Sequence, residues 1–525
     1  MTRKRSAILA LFLTLPVVAF LVHHYTHYGG GLHPTGFTTD ENVLYMSYAH
    51  QYLDQSHFSL CYSNPFDGFP QSPRIYFQPV NFLFAGLMKM GADPGFIFSI
   101  FGLLMAFACI YTGVRILQHL LPGNRHIVLI SILFSWGGGL TALAGVGSYL
   151  SGQSAAGSLT DSIYLADPAN GWWGMNWGRI LFIPLEAFYH FLFLAAIYLL
   201  LKQKWKGVLS TAFLLSVSHP FTGIEFLLII CGWLGLEKMI WKNKSIPWWF
   251  AGGIAVIILF HVWYYLYYLN NFPEHKQLFS QYSAGWTYSF RVFVPAYLLV
   301  FGLACLTFFL QQKNKPWLRL SEQRLFICWA AIAFLLSKHE WFIRPMQPIH
   351  FTRGYVWAGL FLSGLPALIW LLERLKNGTG KKLLLIGLVA LLLMDNGLWI
   401  GNHLRQKNTT EWEGYLSDDT RQLFKFLHAE AKAADMLVSK DRLVSYMANV
   451  YSAANSWVSH PYNTPNRPLR VLIMDRALED GMIPAEWQNR RLLVVINKKD
   501  EPFTVHPSLA RQKLFENNSY IVFTP

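Results

Sequence analysis

The sequence predicts an α-helical polytopic membrane protein of about eleven transmembrane helices with a small α/β extracytoplasmic domain at its C-terminus. Three observations carry this. Apolar runs of bilayer-crossing length, about 17 to 25 residues, recur along the chain, as in FIFSIFGLLMAFACIYTGVRIL from Phe96 and AGGIAVIILFHVWYYLYYL from Ala251. Basic residues gather in short clusters between alternate runs. Beyond about Asn402 the pattern turns polar, with short strand-like and helix-like segments. With 53% of residues hydrophobic and 14% charged, an ordinary soluble fold of this length is excluded. The 16% aromatic content suits interfacial Trp and Tyr belts.

The N-terminal run MTRKRSAILALFLTLPVVAFLV has a basic head and an apolar core, but no small-x-small cleavage site follows it. It therefore reads as an uncleaved first span. The expected spans are 7–22, 95–120, 126–148, 180–201, 207–219, 222–241, 247–269, 292–311, 324–337, 354–373 and 383–400. Ser218-His219-Pro220 interrupts the fifth and sixth, which are expected to form a short hairpin dipping into the bilayer. With this count the clusters at 3–5, 115–125, 202–206, 238–244, 313–319 and 374–382 fall on one side. By the positive-inside rule that side is the cytoplasm, with the C-terminus outside. The net charge of +14 is thus a topology signal and calls for no nucleic acid partner.

The domain expectation is a membrane domain over 1–401, with a long first outer loop at 23–78, and a C-terminal domain over 402–525. In the latter, DTRQLFKFLHAEAKA reads as an amphipathic helix, while DMLVSK, RLLVVINK and SYIVFTP read as strands. Four of the five cysteines lie in apolar runs and Cys61 stands alone in a polar stretch, so neither a disulfide framework nor zinc-type spacing is present.

Most acids of the membrane region fall in the outer loops, and two of them, Asp40 and Glu41, are adjacent soon after the first span. One reading is a capping box, Thr38-x-x-Glu41, opening an amphipathic helix in ENVLYMSYAHQYLDQ. Glu41 then caps, and Asp40 sits in the first turn, where the helix dipole favours its ionised form. The other reading is a general base or a ligand for a divalent cation.

The opening resembles the GT-C superfamily of membrane glycosyltransferases. The likeness lies in a first span, an outer loop with an acidic pair near its start, an aromatic-rich helix, and a Pro-led apolar segment (QPVNFLFAGLMKMGADPG) before a long second span. The tail resembles C-terminal domains of bacterial members in SWVSHPYNTPNRPLR and SYIVFTP. This resemblance implies a sugar transferase in the cytoplasmic membrane, acting on its outer face with a polyprenyl-phosphate-linked donor. The acceptor would be an envelope glycan, lipid or protein. Asp40 matches the catalytic acid, and Glu41 would support it or bind a divalent cation such as Mg or Mn. One base and a phosphate leaving group imply inversion.

A lipid-phosphate donor needs cations near the outer interface. Lys338, Arg344, His350 and Arg353 in SKHEWFIRPMQPIHFTRGYVW are candidates, with snorkelling or surface anchoring as the alternative. In DSIYLADPANGWWGMNWGR, Asp167, Trp172 and Trp173 are candidates for sugar contact, against an interfacial aromatic belt. Glu186 and His190 lie four apart on one face inside a span, with His219 and Glu225 similarly placed. Such groups touch substrate, carry protons, or pair between helices. His23 and His27 are also four apart, but nothing completes a metal site by spacing. Two other classes stand beside the enzyme: a transporter or flippase of lipid-linked substrates, and a non-catalytic envelope-assembly protein. The halves of the chain show no internal repeat, which weighs against the transporter.

Overall fold

The computed structural model describes residues 2–53, 59–69, 72–154, 157–165, 175–281, 285–314, 320–375, 378–499 and 505–525. Asp167, Trp172 and Trp173 lie outside the described residues. The chain gathers into two compact units. One comprises Met1–Leu21, Gly102–Trp263 and Ala284–Gln406; the other comprises Val22–Phe101, Tyr264–Ser283 and Lys407–Pro525.

Every expected span is helical, but fewer than eleven are long enough to cross a bilayer alone. Among the described residues seven helices are: α1 (Arg3–Thr26), Pro94–Leu120, Pro184–Leu201, Trp248–Asn271, Phe290–Leu310, Pro348–Arg374 and Thr379–Arg405. A bent pair, Ile127–Trp136 and Thr141–Leu150, makes an eighth if it counts as one span. The protein is therefore multi-pass. The helices Trp205–Ser218, Pro220–Gly235 and Ser321–Ser337 hold 14, 16 and 17 residues. At 1.5 Å rise per residue the first and third fall short of a hydrocarbon core of about 30 Å, while the second runs on as the π-helix Leu236–Ile240. The first two meet at the expected break, where His219 stands as N-cap and its Nδ1 accepts from the Thr222 amide at 3.1 Å.

The bent pair turns by 56° at Gly137–Leu140. Such a break frees backbone groups that hydrocarbon cannot satisfy, and the helical unit satisfies them from distant residues. The Gly138 amide donates to the Leu392 carbonyl at 2.6 Å and the Leu140 amide to the Pro295 carbonyl at 2.8 Å. Asp395 accepts from the Thr141 amide at 2.9 Å, the Thr141 hydroxyl at 2.6 Å and the Ala142 amide at 3.0 Å, so it caps the second helix. Asn396 donates to the Trp136 and Gly137 carbonyls at 2.9 and 3.0 Å, and so closes the first. Arg179 donates to Asn396 at 2.8 Å. A Cβ on Gly139 would lie 2.2 Å from the Ala296 carbonyl oxygen, so only glycine admits this approach. Asp395→Leu should therefore cost about 1–3 kcal/mol for each orphaned amide, read as a lower unfolding midpoint in detergent. An unchanged midpoint would remove the capping role.

The second unit holds a five-stranded sheet of order β4-β3-β5-β7-β6. Its strands are β3 (Met436–Val438), β4 (Asn455–Ser456), β5 (Leu492–Asn497), β6 (Gln512–Glu516) and β7 (Tyr520–Thr524). β3 pairs in parallel with β4 and β5, while β5, β7 and β6 run antiparallel. A two-stranded antiparallel ribbon joins β1 (Leu32–Pro34) to β2 (Tyr415–Ser417), which ties the segment after α1 to the tail within this unit. Met436, Val438, Trp457, Trp487, Leu492 and Val494 form the buried core.

The SWVSHPYNTPNRPLR run folds into a locked turn. His460 Nδ1 accepts from the amides of Tyr462 and Asn463 at 3.1 and 3.0 Å. Arg470 donates to the Asp67 carbonyl at 2.6 Å and pairs with its carboxylate at 3.4 Å. Burial, with Arg442 and Arg467 nearby, lowers the His460 pKa to about 3. An unfolded histidine titrates near 6.5. Between these values the unfolded chain binds a proton that the folded chain refuses, so stability falls as pH drops below about 6.5. The loss should approach about 1.4 kcal/mol per pH unit. His460→Asn should flatten this acid limb in a pH series of unfolding midpoints; an unchanged slope would assign it to other groups.

Candidate functional site

The Thr-Thr-Asp-Glu stretch meets a helix start, but not as the expected capping box. The helix α2 (Glu41–His50) takes Asp40 as its N-cap, whose carboxylate accepts from the Glu41 amide at 3.0 Å. The roles expected of the two acids are thus exchanged. The reason is Asn42, a buried amide that meets the Thr38 and Thr39 hydroxyls at 3.1 and 2.9 Å. The preceding segment is fixed by a tight approach: Gly36 has φ +92°, and a Cβ on Gly95 would fall 1.7 Å from the Thr35 carbonyl oxygen.

Capping does not bury Asp40, whose side chain is 60% exposed. Two groups on the Arg442–Tyr451 helix, four residues apart on one face, address it. The Tyr446 hydroxyl donates to the Asp40 carbonyl at 3.0 Å. Arg442 Nη2 stands 3.6 Å from Asp40 Oδ2 and 3.6 Å from Glu413 Oε1. Exposed pairs at that distance are worth about 0–1 kcal/mol, so Arg442 orients the carboxylate more than it stabilises the fold. Burial raises the Glu413 pKa, with Arg442 acting against the rise. The result is an open carboxylate held at a fixed place, beside a second acid shielded from solvent.

This donor set suits proton transfer better than a divalent cation, because Arg442 occupies the charge position between the two acids. Among the described residues no group of three His, Cys, Asp or Glu is placed to hold a metal ion. His23 and His27 stack, with ring centroids 4.7 Å apart.

The helical unit holds a second polar cluster, buried except for the half-buried His350. Arg353, expected at a lipid headgroup, is instead 3% exposed and pairs through Nη1 with Glu186 Oε1. His219 Nε2 lies 3.3 Å from the same nitrogen, and His350 Nε2 lies 3.5 Å from Nη2. His190 does not pair with the Glu186 side chain. Its Nε2 reaches the Arg353 carbonyl at 2.6 Å, and its ring stacks on Tyr355. Gly354, at φ +79°, makes this possible: a Cβ there would lie 2.6 Å from the Trp177 Cα. Glu225 is fully buried, and its carboxylate oxygens have no hydrogen-bond partner among the described residues.

The structure thus joins Glu186, His219, His350 and Arg353, and leaves two expected cations outside the cluster. Lys338 is buried, with Nζ donating to the Tyr288 carbonyl and standing 3.3 Å from Glu340, so its charge is already answered. Arg344 is exposed on the loop after Trp341. Asp40 and Glu41 belong to the other unit. Sequence reasoning missed Arg442, Glu413, Tyr446 and Asp395. Of these only Asp395-Asn396, a polar pair inside an apolar run, carried a visible signal.

No protein family and no curated protein matches the chain's sequence. Solved structures resemble its backbone. The chain is similar to ArnT from Cupriavidus metallidurans bound to undecaprenyl phosphate, at 10% identity and TM-score 0.49, covering 98% of this chain and 97% of that one. The apo form of the same protein gives 11% identity and TM-score 0.49 over the same shares. The Archaeoglobus fulgidus oligosaccharyltransferase, in complex with Zn and sulfate, gives 12% identity and TM-score 0.42, over 93% of this chain and 68% of that one.

Proposed function

We propose that the chain is a GT-C-type membrane glycosyltransferase. It moves a sugar from a polyprenyl-phosphate donor to an envelope glycan, lipid or protein at the outer face of the cytoplasmic membrane. The supporting observation is Asp40: a half-open carboxylate just beyond the first span, fixed by its own helix and by Arg442 and Tyr446. In this reading Asp40 takes the proton of the acceptor hydroxyl as its oxygen attacks the anomeric carbon. The bond from that carbon to the phosphate oxygen breaks, and the lipid phosphate leaves with the electron pair. Attack opposite the leaving group inverts the centre. In this reading the N-terminus lies in the cytoplasm and residues 402–525 outside, an orientation that the basic clusters favour.

The test is the glycolipid and envelope-glycan profile of cells lacking the protein, with and without the wild-type chain restored. A sugar that disappears and returns names the product. The buried Glu225 carboxylate favours a second reading, a transporter of lipid-linked substrate, because ionisable groups inside a helical membrane unit often carry substrate or protons. Accumulation of a fully glycosylated lipid on the inner leaflet would favour that reading and sink the first.

A further inference from the structure

The second unit carries a groove of about 900 Å3, separate from Asp40 and its partners. Its wall is cationic along one helix. Arg421, Lys425 and His428 lie at i, i+4 and i+7 of Asp418–Glu430, which puts them on one face, and all three are exposed. His33 and His50 add two imidazoles. Among the described residues that line it, Asp93 is the sole carboxylate. Asp418, just outside, lies 3.0 Å from His33 and 3.8 Å from Arg421. The floor is apolar, with Leu53, Met88, Leu416, Phe424 and Val450. Phe96, 56% exposed, completes it.

The depth of the groove follows from its covalent neighbours. Tyr25 is the penultimate residue of α1, and Pro94 opens the Pro94–Leu120 helix; both helices are candidate spans. The groove thus opens where two spans end, which is the depth of lipid headgroups. Cations above an apolar floor at that depth match an anion with a greasy tail.

We propose that this groove binds an anionic phosphoglyceride of the bilayer, with the phosphodiester against Arg421 and Lys425 and an acyl chain along Met88 and Phe96. The site is a lipid anchor for the C-terminal segment and stands whether or not Asp40 is catalytic.

The test uses full-length protein in neutral detergent, titrated with phosphatidylglycerol, phosphatidylcholine, inorganic phosphate and a long isoprenyl monophosphate, with binding read by native mass spectrometry. Phosphatidylglycerol should bind best. The double variant Arg421→Gln/Lys425→Gln should weaken it by about fivefold for each cation removed, with phosphatidylcholine unaffected. Asp93→Asn should strengthen it. Lys425→Gln alone, expected to lose about fivefold, decides the matter if the double variant shifts the unfolding midpoint. The proposal is overturned by unchanged phosphatidylglycerol binding in these variants, by equal binding of phosphatidylcholine, by displacement with inorganic phosphate at equal concentration, or by preference for the isoprenyl monophosphate.

Discussion

Asp40→Asn should lower sugar transfer by about 10²–10⁴-fold, the usual contribution of a positioned general base, while leaving the protein folded. The substitution is chosen for what it keeps. Asparagine caps helices as well as aspartate does, so the bond to the Glu41 amide survives. Tyr446 holds the Asp40 carbonyl, which does not change. Only the proton-accepting carboxylate and its contact with Arg442 are lost, and that exposed contact is worth little to stability. Complementation of null cells at matched membrane levels, with the envelope sugar quantified, reads the result. Full restoration by Asp40→Asn would reduce Asp40 to a helix cap and end the enzyme reading built on it. Glu41→Gln should be milder, since in this structure Glu41 is not the cap.

Arg353→Met should be among the most destabilising single changes in the helical unit. It would leave the Glu186 carboxylate buried without its cation, at a cost of about 3–5 kcal/mol. The double variant Glu186→Leu/Arg353→Met removes both charges and should recover most of that loss, because an apolar pair of similar size replaces a buried ion pair at little cost. Unfolding midpoints of the four proteins in one detergent form the cycle. Additive losses would show that the two side chains do not depend on each other. The same proteins separate structure from substrate binding. If the double variant folds but transfers no sugar, Arg353 or Glu186 also serves the donor; if it transfers normally, the pair is a structural clamp.

Much of the fold was legible because hydrophobic length and period are direct physical signals. The long helices from Pro94, Trp248 and Thr379 announce themselves as apolar runs, and the strands at 492–497 and 520–524 as β-branched ones. β6 escaped because QKLFE is an edge strand, where charge guards against unwanted pairing and hides the alternation. The Arg442–Tyr451 helix escaped because it is short and its neighbours are polar. The candidate site divided along the same line. Asp40 could be picked out by its place after the first span. Arg442 and Glu413 could not, because residues some four hundred positions away reach Asp40 only through the tertiary fold. Arg353 stood out as a cation at the head of a span, but a sequence does not show that Glu186, 167 positions earlier, already claims it.

The glycine break at 137–140 also has a consequence for biosynthesis. The groups that complete it, Leu392, Asp395 and Asn396, are made about 250 residues later, in the last long apolar helix. A chain emerges from the ribosome at about 5–20 residues per second, so the kinked helix pair waits tens of seconds for its partners. During that interval its exposed amides and carbonyls must be served by water, lipid headgroups or an insertion chaperone. A chain truncated before Leu392 would keep that need permanently, and membrane quality-control proteases should clear it faster than one truncated just after Arg405.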